Sequence, residues 1–187
     1  YANAQIGTSV AISNNGMLLV AGAPYATGLA NNGGIVFWGI QQVPNWQGAV
    51  GANTGSFFAN TQPGDGFGYS LSVSDSVTSP NPATYGLIAV GAPFATSRTG
   101  SANTQEGYAA IFRAALTANL VSYTVQVRSS DIAAGDQFGY SVALSPDGSV
   151  LAVGAPGRDD QFSGAGAVYI FTNDGYDTFA QSAKIQV

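Results

Sequence analysis

One ten-residue phrase occurs twice in this chain almost unchanged, and no other feature constrains the fold as much. GDGFGYSLSV, at Gly64 to Val73, returns as GDQFGYSVAL at Gly135 to Leu144, and a weaker copy, AQIGTSVAI, runs from Ala4 to Ile12. Each copy is followed by a second phrase: LLVAGAP ending at Pro24, LIAVGAP ending at Pro93 and LAVGAP ending at Pro156. A third phrase follows in turn, GGIVFW from Gly33, EGYAAIF from Glu106 and GAVYIF from Gly166. Self-similarity of this kind marks supersecondary units that bury their faces only against a neighbour. Successive copies start 61 and 71 residues apart, from Gly7 to Gly68 to Gly139. That leaves room for about four short strands each, the make-up of a propeller blade.

Local chemistry supplies the strands. SVALSPDGSVLAVGA reads as two short Val-, Leu- and Ala-rich runs joined at Ser145-Pro146-Asp147-Gly148; proline presets φ and glycine accepts positive φ in such a turn. Asn15-Gly16 does the same in the first copy. From Gly7 to Gly22 and from Gly139 to Gly154 is 15 positions, whereas Gly68 to Gly91 takes 23, the excess lying in the turn SDSVTSPNPATYG. Third strands such as IVFW and AVYIF are aromatic and β-branched, as sheets favour. Weaker fourth strands follow at SFFAN, SYTVQVRS and AKIQV, and no segment carries a helical period. The sequence therefore predicts an all-β chain: three propeller blades of four antiparallel strands, at residues 1–60, 61–130 and 131–187. Three blades cannot close a ring, since propellers need at least about four. The expectation is part of a larger propeller, or a protomer that completes one by association. A first residue that is Tyr1 fits a processed product or a fragment.

Composition removes several function classes. The formal net charge is −5, and the cations are Arg98, Arg113, Arg128, Arg158 and Lys184, scattered along the chain. Nucleic acid is held by clustered Lys and Arg, so neither it nor a polybasic membrane-surface role is expected. No apolar run approaches the roughly 18 residues of a spanning helix, so membrane insertion is not expected. Without His or Cys, the Ser-His and Cys-His nucleophiles and their metal sites are excluded. The acidic residues fall at repeat-equivalent turns or in loops, with no convergent pair, so the chain reads as non-enzymatic.

FG followed by Tyr-Ser, then GAP about fifteen residues later, then GAVYIF, resembles the FG-GAP repeat of the integrin α-subunit head and of many surface proteins. The resemblance covers nearly the whole chain. It implies one four-stranded blade per repeat, an extracellular or cell-surface setting, and partner recognition through loops at one end of the blades. It also brings in calcium, which the family holds in an acidic D-x-D-x-D-G-x-x-D turn between the first two strands. That loop is missing here: Ser13 to Gly16 has no acid, Asp75 to Gly86 has Asp75, and Ser145 to Gly148 has Asp147. Calcium needs six to eight oxygens, several of them carboxylate, so no cofactor is expected.

Asp65 and Asp136, two residues before FG, read as caps of tight turns. Partner contact falls instead to the loops after GAP, where the candidates are Tyr25, Phe94, Arg98, Arg158, Asp159 and Asp160; aromatic residues and arginine are favoured at interfaces. The leading expectation is a non-catalytic adhesion or binding module for a protein partner. Self-assembly as a structural subunit of an appendage, matrix or virion is the first alternative. Carbohydrate binding is the second, with Trp46, in a loop-like stretch, a better stacking platform than Trp38, which falls in a strand.

Overall fold

The computed structural model describes residues 3–27, 33–40, 54–57, 62–75, 77–78, 84–96, 104–118, 120–159, 162–175 and 178–186. All regular structure among them is strand. The first sheet contains β1 (Ser9–Ile12), β2 (Leu18–Ala23), β3 (Ile35–Ile40) and β4 (Thr54–Phe57), hydrogen-bonded in that order. The second contains β5 (Ser70–Val73), β7 (Thr84–Ala92), β8 (Tyr108–Ala115) and β9 (Leu120–Val127), and the short β6 (Val77–Thr78) pairs with β7. The third runs β10 (Ser141–Leu144), β11 (Val150–Ala155), β12 (Ala167–Asn173) and β13 (Phe179–Gln186). Every pairing of neighbouring strands is antiparallel. The fold is thus all-β, with three four-stranded meanders in series and one added bridge strand from the long turn of the middle repeat.

Turn chemistry sets the register. Gly16 and Gly148 stand at φ +68° and +69°. Their amides donate to the Ser13 and Ser145 carbonyls at 2.8 and 2.9 Å. The two hairpins then pair in the same register, Ser9 opposite Gly22 and Ser141 opposite Gly154. In the middle sheet Ser70 faces Gly91, so the eight-residue excess is absorbed beyond Ser74, where β6 forms.

Hydrophobic side chains lie between the sheets. One core joins Leu18, Val20 and Val36 of the first sheet to Phe67, Ile88, Val90 and Phe112 of the second. Another joins Tyr85, Leu87 and Ile111 of the second to Phe138, Leu151, Val153 and Tyr169 of the third. The middle sheet is therefore buried on both faces, which explains the nearly continuous burial along β7 and β8. The first strands also touch across sheets: β5 packs on β1 and β2, and β10 packs on β5 and β7. At the far end, the backbone amide and Nδ2 of Asn14 donate to the two Asp75 carboxylate oxygens at 2.7 and 2.9 Å, and the Asp75 amide donates to the Pro146 carbonyl at 2.8 Å. Asp75, the acid of the middle turn, thereby ties all three turns together.

Candidate functional site

The repeated glycines make sense only between sheets. Phe67 and Phe138 are fully buried in the two inter-sheet cores. Their amides donate to the preceding blade, Phe67 to the Gly33 carbonyl at 3.0 Å and Phe138 to the Glu106 carbonyl at 2.9 Å. The glycine after each phenylalanine, Gly68 or Gly139, has φ +90°. Its carbonyl lies over the GAP glycine of the preceding blade and accepts the hydroxyl of that blade's serine, Ser9 at 2.7 Å or Ser70 at 2.8 Å. A methyl on Gly22 or Gly91 would fall far inside van der Waals distance of that carbonyl oxygen. Gly34 and Gly107, with positive φ, face the Phe67 and Phe138 backbones equally closely. FG is a plug and GAP the socket of the blade before it.

These junctions gather the loop residues at one end of the sheets, because FG precedes each first strand and GAP ends the antiparallel second strand. Tyr69 and Tyr140, which follow FG, meet at a tilt of 53° with ring centroids 4.9 Å apart, and the Tyr69 hydroxyl donates to that of Tyr140 at 3.1 Å. Phe94, after the second GAP, meets Tyr69 edge-on at 5.3 Å. Tyr25, after the first GAP, adds its charge influence on Tyr69 from the neighbouring blade. Tyr25 and Tyr140 are 38% and 40% exposed, so the row opens to solvent. The hydrogen bond with Tyr140, then burial, then the neighbouring Tyr140 and Tyr25 push the Tyr69 phenol up to about 12.

The third blade has Gly157 and Arg158 where the second has Phe94 and Ala95. Arg158 turns back into its own blade: Nη1 donates to the Asp136 carboxylate at 2.9 Å and to the Asp131 carbonyl at 2.5 Å. Asp136 is 3% exposed and also accepts the Ala133 amide at 2.7 Å, as Asp65 accepts the Gln62 amide. Both aspartates cap their turns. Lys184 reaches Asp131 at 2.8 Å. Burial works against the Asp131 charge, but hydrogen bonds from Lys184 and Ser129 outweigh it and hold the carboxyl down to about 2. Asp159 accepts the Gly164 amide and closes its own loop.

Of the partner-contact candidates, Phe94 joins the row with Tyr69 and Tyr140, Tyr25 is exposed after the first GAP, Arg158 and Asp159 brace the adjoining loop, and Arg98 and Asp160 lie outside the described residues. Trp46 lies outside them as well, while Trp38 is half-buried on β3 against the first core. Tyr69 and Tyr140 were not singled out from the sequence, although Tyr stands after FG in both strong copies.

Meanders interlocked face to face by equivalent junctions define a β-propeller-like module. Residues 123–171 match the family model described as the FG-GAP repeat, so this segment is similar to an FG-GAP repeat. The matched span runs from within β9 to β12, so it holds the Phe138–Gly139 plug, whose socket at Ser70, Gly91 and Gly107 lies before it. No curated protein matches the chain.

Proposed function

We propose that this chain is a non-catalytic propeller module of an extracellular or surface protein, and that it binds a protein partner through the loop end carrying Tyr25, Tyr69, Phe94 and Tyr140. The observation that carries this reading is the aromatic cluster of Tyr69, Phe94 and Tyr140, which joins the second and third blades, together with the exposure of Tyr25, after the first GAP, and of Tyr140. Rigid aromatic side chains give contact area at little entropic cost and are enriched where proteins meet. Arg158, Asp131 and Asp136 pair with one another within the third blade, so docking beside them strands none of the three. FG-GAP repeats are typical of extracellular and surface proteins, which supports the setting. The non-catalytic reading rests on a sequence without His or Cys and on aspartates committed to backbone amides. No cofactor is assigned to the module. A carbohydrate ligand is the second reading, favoured by the exposed tyrosine rings.

Photo-crosslinking tests the proposal. A benzophenone amino acid at Tyr25 or Tyr140 is expected to capture one discrete protein from the native surface, while the same probe at Asn14, at the opposite end, captures none. Equal capture at both ends overturns the proposal. So does binding to a glycan array that Tyr25→Ala and Tyr140→Ala abolish, which establishes the carbohydrate reading instead.

A further inference from the structure

The two junctions between blades are built alike but differ in one side chain. The residue after the plug glycine is Thr8 in the first blade, Tyr69 in the second and Tyr140 in the third. Thr8 turns its hydroxyl back onto the Gln5 carbonyl at 2.7 Å. Between the second and third blades the same place holds two phenols, and the joint itself brings them together. Ser70, which follows Tyr69, donates its hydroxyl to the carbonyl of Gly139, which precedes Tyr140, at 2.8 Å. The Tyr69 and Tyr140 amides are tied down as well, to the Gly66 and Gln137 carbonyls at 3.0 and 3.1 Å. Phe94 packs edge-on against the Tyr69 ring.

The two rings converge toward their hydroxyl ends, since the centroids are 4.9 Å apart and the hydroxyl oxygens 3.1 Å. The carbons ortho to those hydroxyls are where an oxidised phenol carries unpaired electron density and forms a carbon–carbon bond. Tyr140 is 40% exposed, which opens the pair to a reagent from solvent, whereas Tyr85, Tyr108 and Tyr169 are buried. The chain has no cysteine, so no thiol of its own competes for an oxidant.

We propose that Tyr69 and Tyr140 form an oxidative coupling site, at which a peroxidase-class oxidant with hydrogen peroxide joins the second and third blades through a dityrosine bond. Each phenol gives up one electron and its hydroxyl proton. The two phenoxyl radicals then bond through one ortho carbon of each ring. Each of those carbons releases its proton as each oxygen regains one, which restores both phenols. In all, two C–H bonds break and one C–C bond forms, and the two electrons and two protons released reduce one hydrogen peroxide to two waters. Holding both rings at the joint replaces a chance encounter with an intramolecular step. The bond ties residues 71 positions apart and so restricts the unfolded chain as a disulfide does. The step needs no partner at the loop end.

Treating the 187-residue chain with a haem peroxidase and hydrogen peroxide tests this. The 18.9 kDa chain is expected to lose the mass of two hydrogens, gain dityrosine fluorescence and yield one crosslinked proteolytic fragment containing Tyr69 and Tyr140. The yield is expected to be independent of protein concentration. Tyr69→Phe and Tyr140→Phe, each with unchanged circular dichroism, are expected to abolish the crosslink within the chain. Tyr123→Phe, at a ring 54% exposed on β9, is expected to leave it intact. A chain that keeps its mass overturns the inference. So does a crosslink that joins other tyrosines, or one that forms only between chains as concentration rises.

Discussion

Tyr69 and Tyr140 sit one blade apart in space and 71 residues apart in sequence, and their paired hydroxyls give the loop end a titration signature. The Tyr140 hydrogen bond is the largest cause of the Tyr69 shift, ahead of burial. Ultraviolet difference titration is therefore expected to show one tyrosine ionising near pH 12, and Tyr140→Phe is expected to bring that transition back toward the ordinary value of 10. The sign for stability follows. A phenol whose pKa is raised on folding contributes fully below the unfolded value of about 10, and the contribution is lost as pH rises through about 12. A titration that Tyr140→Phe leaves in place would separate the two rings and dissolve the row. Asp131 has the opposite sign. Its depressed carboxyl contributes above the ordinary value of 3.8, and that contribution is lost as pH falls through about 2.

The element that matters most is the plug, a left-handed residue, an apolar side chain and a left-handed glycine in succession. Its energetics depend on whether a socket holds it. Phe138→Ala empties a fully buried position and is expected to cost about 3–5 kcal/mol, read by urea unfolding, with Phe67→Ala close to it. Ile6→Ala, at a position 60% exposed, is expected to stay within about 0.5 kcal/mol. Equal losses at the three positions would mean that each plug serves its own blade. Much of this level was legible in the sequence, since the three phrases, the Pro-Asp-Gly and Asn-Gly turns and the aromatic third strands all carry local signals. β6 was not, because a two-residue bridge inside SDSVTSPNPATYG has too little pattern to read. Nor was the role of Asp75, whose partners Asn14 and Pro146 come from two other blades. Partners 61 and 71 residues away leave no mark on the spacing within one repeat. Arg158 was missed for another reason: its partners Asp131 and Asp136 are in its own repeat, 27 and 22 residues back, and only the fold of the loop before β10 turns them toward its guanidinium.

At the scale of the molecule, the FG-GAP motif is a joint between blades, and the arc holds because two such joints bury the middle sheet on both faces. The four cations among the described residues are all engaged: Arg113 lies over the Tyr85 ring, Arg128 pairs with Glu106, and Arg158 and Lys184 meet at Asp131. Low charge thus coexists with a firm interior, and the loop end is left to its tyrosines. The most direct measurement of this account compares one substitution at three equivalent glycines. Urea unfolding of Gly22→Ala and Gly91→Ala is expected to show losses of roughly 2–4 kcal/mol, because each methyl meets the backbone carbonyl of the next blade's plug. Gly154→Ala meets only its own Ser141 hydroxyl and is expected to lose less than about 1 kcal/mol. Three equal losses would contradict the joint, because the glycine would then be required by its own hairpin alone.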